Sequence, residues 1–105
     1  AQAMGLAMLG DKLPAEQALQ LGMIWQVVED EQLQAESRKL AEHLAKQPTY
    51  GLSLIKKAIY AAADNNLNDQ LMLERDLQRL AGRSSDYKEG VQAFMQKRTP
   101  EYKGY

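Results

Sequence analysis

The sequence predicts an all-α chain with one short extended segment near residues 23–28, on three observations. Apolar residues recur at three- and four-residue spacing through most of it. Gly, Pro and Asn interrupt that pattern at intervals of about one helix length. The one apolar run of a different kind, M-I-W-Q-V-V, is short and rich in β-branched residues, with no second such run to pair with. Residues 1–105 are therefore read as a single helical segment.

Residues 2–9 predict a short helix closed by Gly10 as a left-handed cap. Met4, Leu6, Ala7, Met8 and Leu9 leave it little polar face, and a helix apolar nearly all round is normally covered on several sides. With Ala rather than Met at position 1, this predicts a segment of a larger protein. Residues 11–14 form a turn, and Pro14 suits the first turn of a helix that runs to Leu21 and stops at Gly22. After the extended stretch, Leu33, Ser37, Leu40, Ala41 and Leu44 give an amphipathic helix over 30–46, interrupted by Pro48. Leu52, Ile55, Ile59 and Ala62 mark the next, which ends at Asp64-Asn65-Asn66, where Asn takes a left-handed cap. Leu73, Leu77, Leu80 and Ala81 define a helix stopped by Gly82, with Leu67 and Leu71 extending its apolar side backward. The last helix begins near Asp86, capped by Ser85 or Asp86, with Asp86 and Glu89 at capping-box spacing. Tyr87, Val91, Phe94 and Arg98 line one face of it until Pro100, and the tail at 102–105 needs a surface to lie on.

Composition excludes several function classes. The net charge is −1, so no global field draws the chain to nucleic acid or an anionic membrane, and any anion site must be local. The sequence has no cysteine, which excludes a disulfide framework, a thiolate zinc site and a cysteine nucleophile, and fits a reducing, cytoplasmic setting. No apolar run approaches the roughly 20 residues of a membrane span. His43 faces away from the apolar stripe of its helix and has no companions for a metal, so no metal is expected. Asp76 and Arg79 sit at surface salt-bridge spacing, and Met4, Met8 and Met23 read as packing residues.

Phe94 and Lys97 carry the remaining chemistry. Three residues apart on a helix, they share a face and offer a ring and an ammonium to a ligand with a flat base and a phosphate. The plainer readings are that Phe94 belongs to the apolar stripe and that Lys97 offsets the helix dipole, worth about 0.3–1 kcal/mol.

The motif S-x-D-x-x-x-G-x-x-A-F-x-x-K-R-x-P-x-Y at 84–102 is similar to the C-terminal signature of the crotonase family, the enoyl-CoA hydratases and isomerases. A second block, L-P-A-E-Q-A-L-Q-L-G-M-I-W-Q-V-V at 13–28, resembles the segment that follows that family's central core. A-M-G-L-A-M-L-G, G-M-I-W and L-E-R-D-L-Q-R-L-A-G-R-S are most similar to the branch that isomerises a ring epoxide in bacterial phenylacetate breakdown. The resemblance implies the C-terminal helical trimerisation region of a crotonase fold, without the spiral αβ core. It also implies an acyl-CoA thioester as substrate, no tightly bound cofactor, and a homo-oligomer, trimer or dimer of trimers. By the same resemblance Phe94 and Lys97 lie at the adenine end of coenzyme A. The oxyanion-hole amides and catalytic acids would precede Ala1, so this chain would contain no catalytic residue. Losing one oxyanion donor costs roughly 3 kcal/mol, and losing all of them predicts an inactive fragment. The sequence departs from the pattern at Pro14, usually Ser or Thr, at Trp25, more often Asn, and at Tyr102, commonly Phe. The competing reading is a helical self-association module that stands alone without catalysis.

Overall fold

A computed structural model describes all residues, 1–105. The chain is helical and has no strand. The elements are α1 (Gln2–Leu9), α2 (Ala15–Gln20), a 3-10 turn (Asp30–Gln32), α3 (Leu33–Ala45), α4 (Thr49–Ala61), α5 (Leu67–Ala81) and α6 (Ser85–Met95). They fall into two compact units, residues 1–37 and 38–105.

In the first unit α1 ends as its sequence predicts, with Gly10 at φ 68 donating its N–H to the Leu6 carbonyl at 3.2 Å. No residue of α1 is buried, although its composition calls for cover; Met8 is 79% exposed. α2 enters from Pro14 at φ −61 and ψ 150 with no side-chain cap, and the ring presets the backbone angle in place of the missing hydroxyl. Ala18 is its buried residue. The helix closes by two reversed bonds, Gly22 N–H to Leu19 O at 3.0 Å and Met23 N–H to Ala18 O at 2.9 Å. With Gly22 at φ 71 this is a Schellman turn. Residues 21–25 are turn and bend, and 26–29 have no regular structure, so the apolar run 23–28 is a connector and not a strand.

In the second unit α4 starts directly after Pro48, and α4 and α5 pack on each other. Gln70 on α5 reaches across to donate to the Ala58 carbonyl at 3.1 Å, while its own side-chain oxygen accepts from Asn65 at 3.0 Å. The turn between them differs from the sequence reading, because no Asn there is left-handed. Asn66, at φ −74, instead caps α5 by accepting from Asp69 N–H at 3.0 Å. An Asn between two helices can close the first or open the second, and the side-chain hydrogen bond decides for the second. Leu77, 6% exposed, is the buried apolar anchor of α5. Gly82 follows at φ −66, still right-handed.

Candidate functional site

The cap of α6 is Ser84, which accepts from Tyr87 N–H at 3.0 Å, and not Ser85 or Asp86 as the sequence predicts. Those two residues are thereby released to hold the C-terminal tail. The Asp86 carboxylate, 2% exposed, accepts from Lys103 N–H at 2.7 Å and Gly104 N–H at 2.8 Å. The tail answers through the Tyr105 carbonyl, which accepts from Ser85 N–H at 2.9 Å, Asp86 N–H at 3.2 Å and the Ser85 hydroxyl. Gly104 makes this closure possible: its φ is 83, and a Cβ there would stand 2.5 Å from Thr49 Oγ1. Nearby the Tyr102 ring lies over α6 where Gly90 leaves room. The capping-box reading of Asp86 with Glu89 is therefore replaced, since each carboxylate serves a segment distant in sequence.

This strapping leaves a groove of about 410 Å³ beside α6, with Pro48, Gly51, Tyr87, Val91, Phe94 and Tyr102 among its walls. Phe94, 82% exposed in this chain, stands at the edge of the groove.

The end of α6 differs most from the sequence reading. The helix stops at Met95, not at Pro100, and Lys97 stands outside it at φ 53. Lys97 N–H donates to Phe94 O at 3.2 Å and Arg98 N–H to Ala93 O at 3.0 Å, a second Schellman turn with lysine where glycine is usual. Phe94 and Lys97 therefore do not share a helix face, and Arg98 does not continue the stripe of Tyr87 and Val91. They meet across the turn, through the backbone.

Beyond the turn the Arg98 side chain folds back on α6. Its two terminal nitrogens grip Glu89 at 2.5 and 2.9 Å, its Nε donates to Gln96 Oε1 at 2.7 Å, and one terminal nitrogen also reaches the Thr99 carbonyl at 3.2 Å. Glu89 accepts a further bond from Glu101 N–H at 2.8 Å. The hydrogen bond from Arg98, then that from the Glu101 amide, holds the Glu89 carboxyl down to about 2, and Glu89 in turn raises Arg98. Lys97, next in line, is exposed, and its ammonium enters no hydrogen bond or ion pair.

Elsewhere the polar groups are plain. Asp76 pairs at the surface with Arg75 at 2.9 Å and Arg79 at 3.8 Å, His43 is exposed, and no cluster of three His, Cys, Asp or Glu could hold a metal. No helix is long and apolar enough to cross a membrane. Sequence reasoning missed the Glu89–Arg98 pair and the Asp86 latch. The available signals were the K-G step at 103–104 and Arg98 nine residues after the acid Glu89.

The helical fold is that of a part of enoyl-CoA hydratases of known structure. The enoyl-CoA hydratase/isomerase profile matches residues 1–105, and the chain belongs to that family. It is 62% identical to the 1,2-epoxyphenylacetyl-CoA isomerase of Escherichia coli K12 over 99% of this chain and 40% of that one. It is 43% identical to a Rhodobacter capsulatus protein named probable enoyl-CoA hydratase, over the same shares. The crystal structure of enoyl-CoA hydratase from Mycobacterium tuberculosis superposes with a TM-score of 0.90 at 28% identity, over 98% of this chain and 41% of that one. The chain thus spans about 40% of the length of the curated relatives it matches.

Proposed function

We propose that these residues form the assembly region and coenzyme A rim of a crotonase-type enoyl-CoA isomerase that acts in phenylacetate breakdown on an acyl-CoA thioester. The carrying observation is the division of labour between two adjacent cations. Arg98 is consumed by Glu89, while Lys97 is held on a left-handed turn beside the exposed Phe94 with its charge unused. A structural lysine would gain nothing from that backbone; one that serves a phosphate gains a fixed origin. Phe94 packs against the purine, and Lys97 supplies a point charge to a phosphate. The 62% identity to an isomerase favours isomerisation over hydration.

The reaction itself runs through a thioester enolate, whose stabilising amides and proton-moving acids come from outside this chain. The one buried acid here, Asp86, is committed to two tail amides and is not available for proton transfer. The uncovered apolar residues of α1, and Ile55 and Ile59 on α4, serve packing within the complete enzyme and between its subunits, as a trimer or dimer of trimers.

The test is a hybrid enzyme in which this chain replaces the matching segment of the E. coli isomerase. Lys97→Ala and Phe94→Ala are expected to raise KM for the acyl-CoA about fivefold each, with kcat within about twofold, as for loss of uniform binding by exposed contacts. The 105 residues alone should show no turnover. An unchanged KM in both variants, or activity of the chain by itself, would sink the reading.

A further inference from the structure

Lys97 is the one non-glycine residue of the chain with a positive φ. An L-residue with a side chain stays there only when its surroundings over-determine it. The restraints on both the next residue and the end of the turn lead to a single carboxylate. Glu89 binds Arg98 through both oxygens, and one of these also accepts the amide of Glu101, so residues 98–101 are pinned to the body of α6 from two directions. Arg98 is further tied to Gln96 and Thr99, on either side of the turn. Four of its five N–H groups are engaged, two of them by Glu89, so its fork is already occupied. Glu89 is ionised at neutral pH with a wide margin, so the grip does not loosen there.

We propose that Glu89 is a positioning residue. By holding Arg98 and the Glu101 amide it fixes the turn on which the Lys97 ammonium stands, and so sets how strongly the protein holds the phosphate-bearing end of an acyl-CoA. This rests on the coenzyme A reading above and adds a residue that touches no ligand. With the grip lost, Lys97 relaxes toward right-handed or extended backbone, its side chain leaves a fixed origin, and ordering it again is charged against binding.

The hybrid enzyme separates the possibilities when Glu89→Gln, Lys97→Ala and the double variant are assayed with an acyl-CoA and with the matching acyl-pantetheine, which lacks the nucleotide. Glu89→Gln should raise KM for the acyl-CoA about three- to fivefold, leave kcat within about twofold, and leave KM for the acyl-pantetheine unchanged. The double variant should be no worse than Lys97→Ala, because a residue acting through Lys97 has nothing left to position. Arg98→Lys, which keeps the charge and loses the fork, should reproduce the Glu89→Gln effect and serves if Glu89→Gln folds poorly. A KM that rises in Lys97→Ala but not in Glu89→Gln or Arg98→Lys overturns the positioning role and leaves the coenzyme A reading standing. So do additive losses in the double variant, or an equal loss with acyl-pantetheine. If Lys97→Ala itself leaves KM unchanged, the coenzyme A reading falls and the inference falls with it.

Discussion

Two helices of the chain end in the same hydrogen-bond pattern on different residues. α2 closes on Gly22 at φ 71 and α6 on Lys97 at φ 53, each with the paired reversed bonds of a Schellman turn. Glycine meets that geometry without a steric penalty; a side chain there costs about 1–2 kcal/mol. The stretches that follow differ accordingly. After Gly22 no side-chain hydrogen bond holds residues 23–29, and Trp25 is 85% exposed. After Lys97 the chain is bound by Glu89, then by Asp86, until Tyr105 returns to the start of α6. A left-handed glycine needs no support, whereas a left-handed lysine survives because distant groups hold the chain around it.

The largest expected break in that contrast is at the latch. Asp86→Ala leaves the amides of Lys103 and Gly104 without their buried acceptor and should lower the stability of the chain by about 3 kcal/mol in urea unfolding. The tail at 102–105 should become readily cleaved by protease. Trp25→Ala, in the untethered stretch, should stay within about 0.5 kcal/mol. A small loss at Asp86 or a large one at Trp25 would erase the distinction between the two regions.

Exchanging the turn residues sharpens it further. Gly22→Lys should destabilise by about 1–2 kcal/mol, since nothing nearby compensates for a side chain at that φ. Lys97→Gly should be neutral or stabilising by up to about 1 kcal/mol, relief of strain being partly offset by a looser unfolded chain. In the hybrid enzyme the same change should still raise KM for acyl-CoA. Stability and binding moving in opposite directions is the signature of a strained residue kept for a ligand; a clear loss of stability in Lys97→Gly would show that the lysine serves the fold.

Six helices appear in the predicted order, because each is written in local apolar spacing and in stop residues that act within a turn. Gly10 is left-handed as read and Gly22 stops α2 as read, since nothing distant competes at those positions. The left-handed Asn expected at 64–66 yields to a local bond, Asn66 accepting from Asp69 N–H, whereas the readings of Asp86 and Glu89 yield to partners far along the chain. Asp86 has the local form of a helix cap and serves residues 17 and 18 positions away. Glu89 has the form of its capping-box partner and is taken by Arg98, nine positions on. Periodicity alone runs α6 to Pro100; the helix ends at Met95, and Arg98 beyond it folds back to Glu89. Phe94 and Lys97 stand out by residue type and spacing as well as by resemblance, but their arrangement across a turn is not legible, because lysine carries no sequence signal for positive φ.

The Gly22 turn is built from backbone groups alone, and the Lys97 turn from backbone plus an ion pair, so acid should act on the second through Glu89. The Glu89 carboxyl is lowered from 4.5 to about 2, chiefly by its hydrogen bonds from Arg98 and the Glu101 amide. A group depressed in the folded state stabilises fully above its unfolded value and loses that contribution as pH falls through the folded one. The stability difference between the parent chain and Glu89→Gln should therefore be flat from about pH 5 to 9, shrink below about pH 4.5, and vanish near pH 2. Taking the difference between two chains that share every other titrating group cancels Glu101 and Lys103, whose charges stand close to Glu89. Urea midpoints measured across that range decide the matter. Curves already merged at neutral pH would mean that the pair contributes nothing to holding the turn, leaving Lys97 strained without a visible restraint.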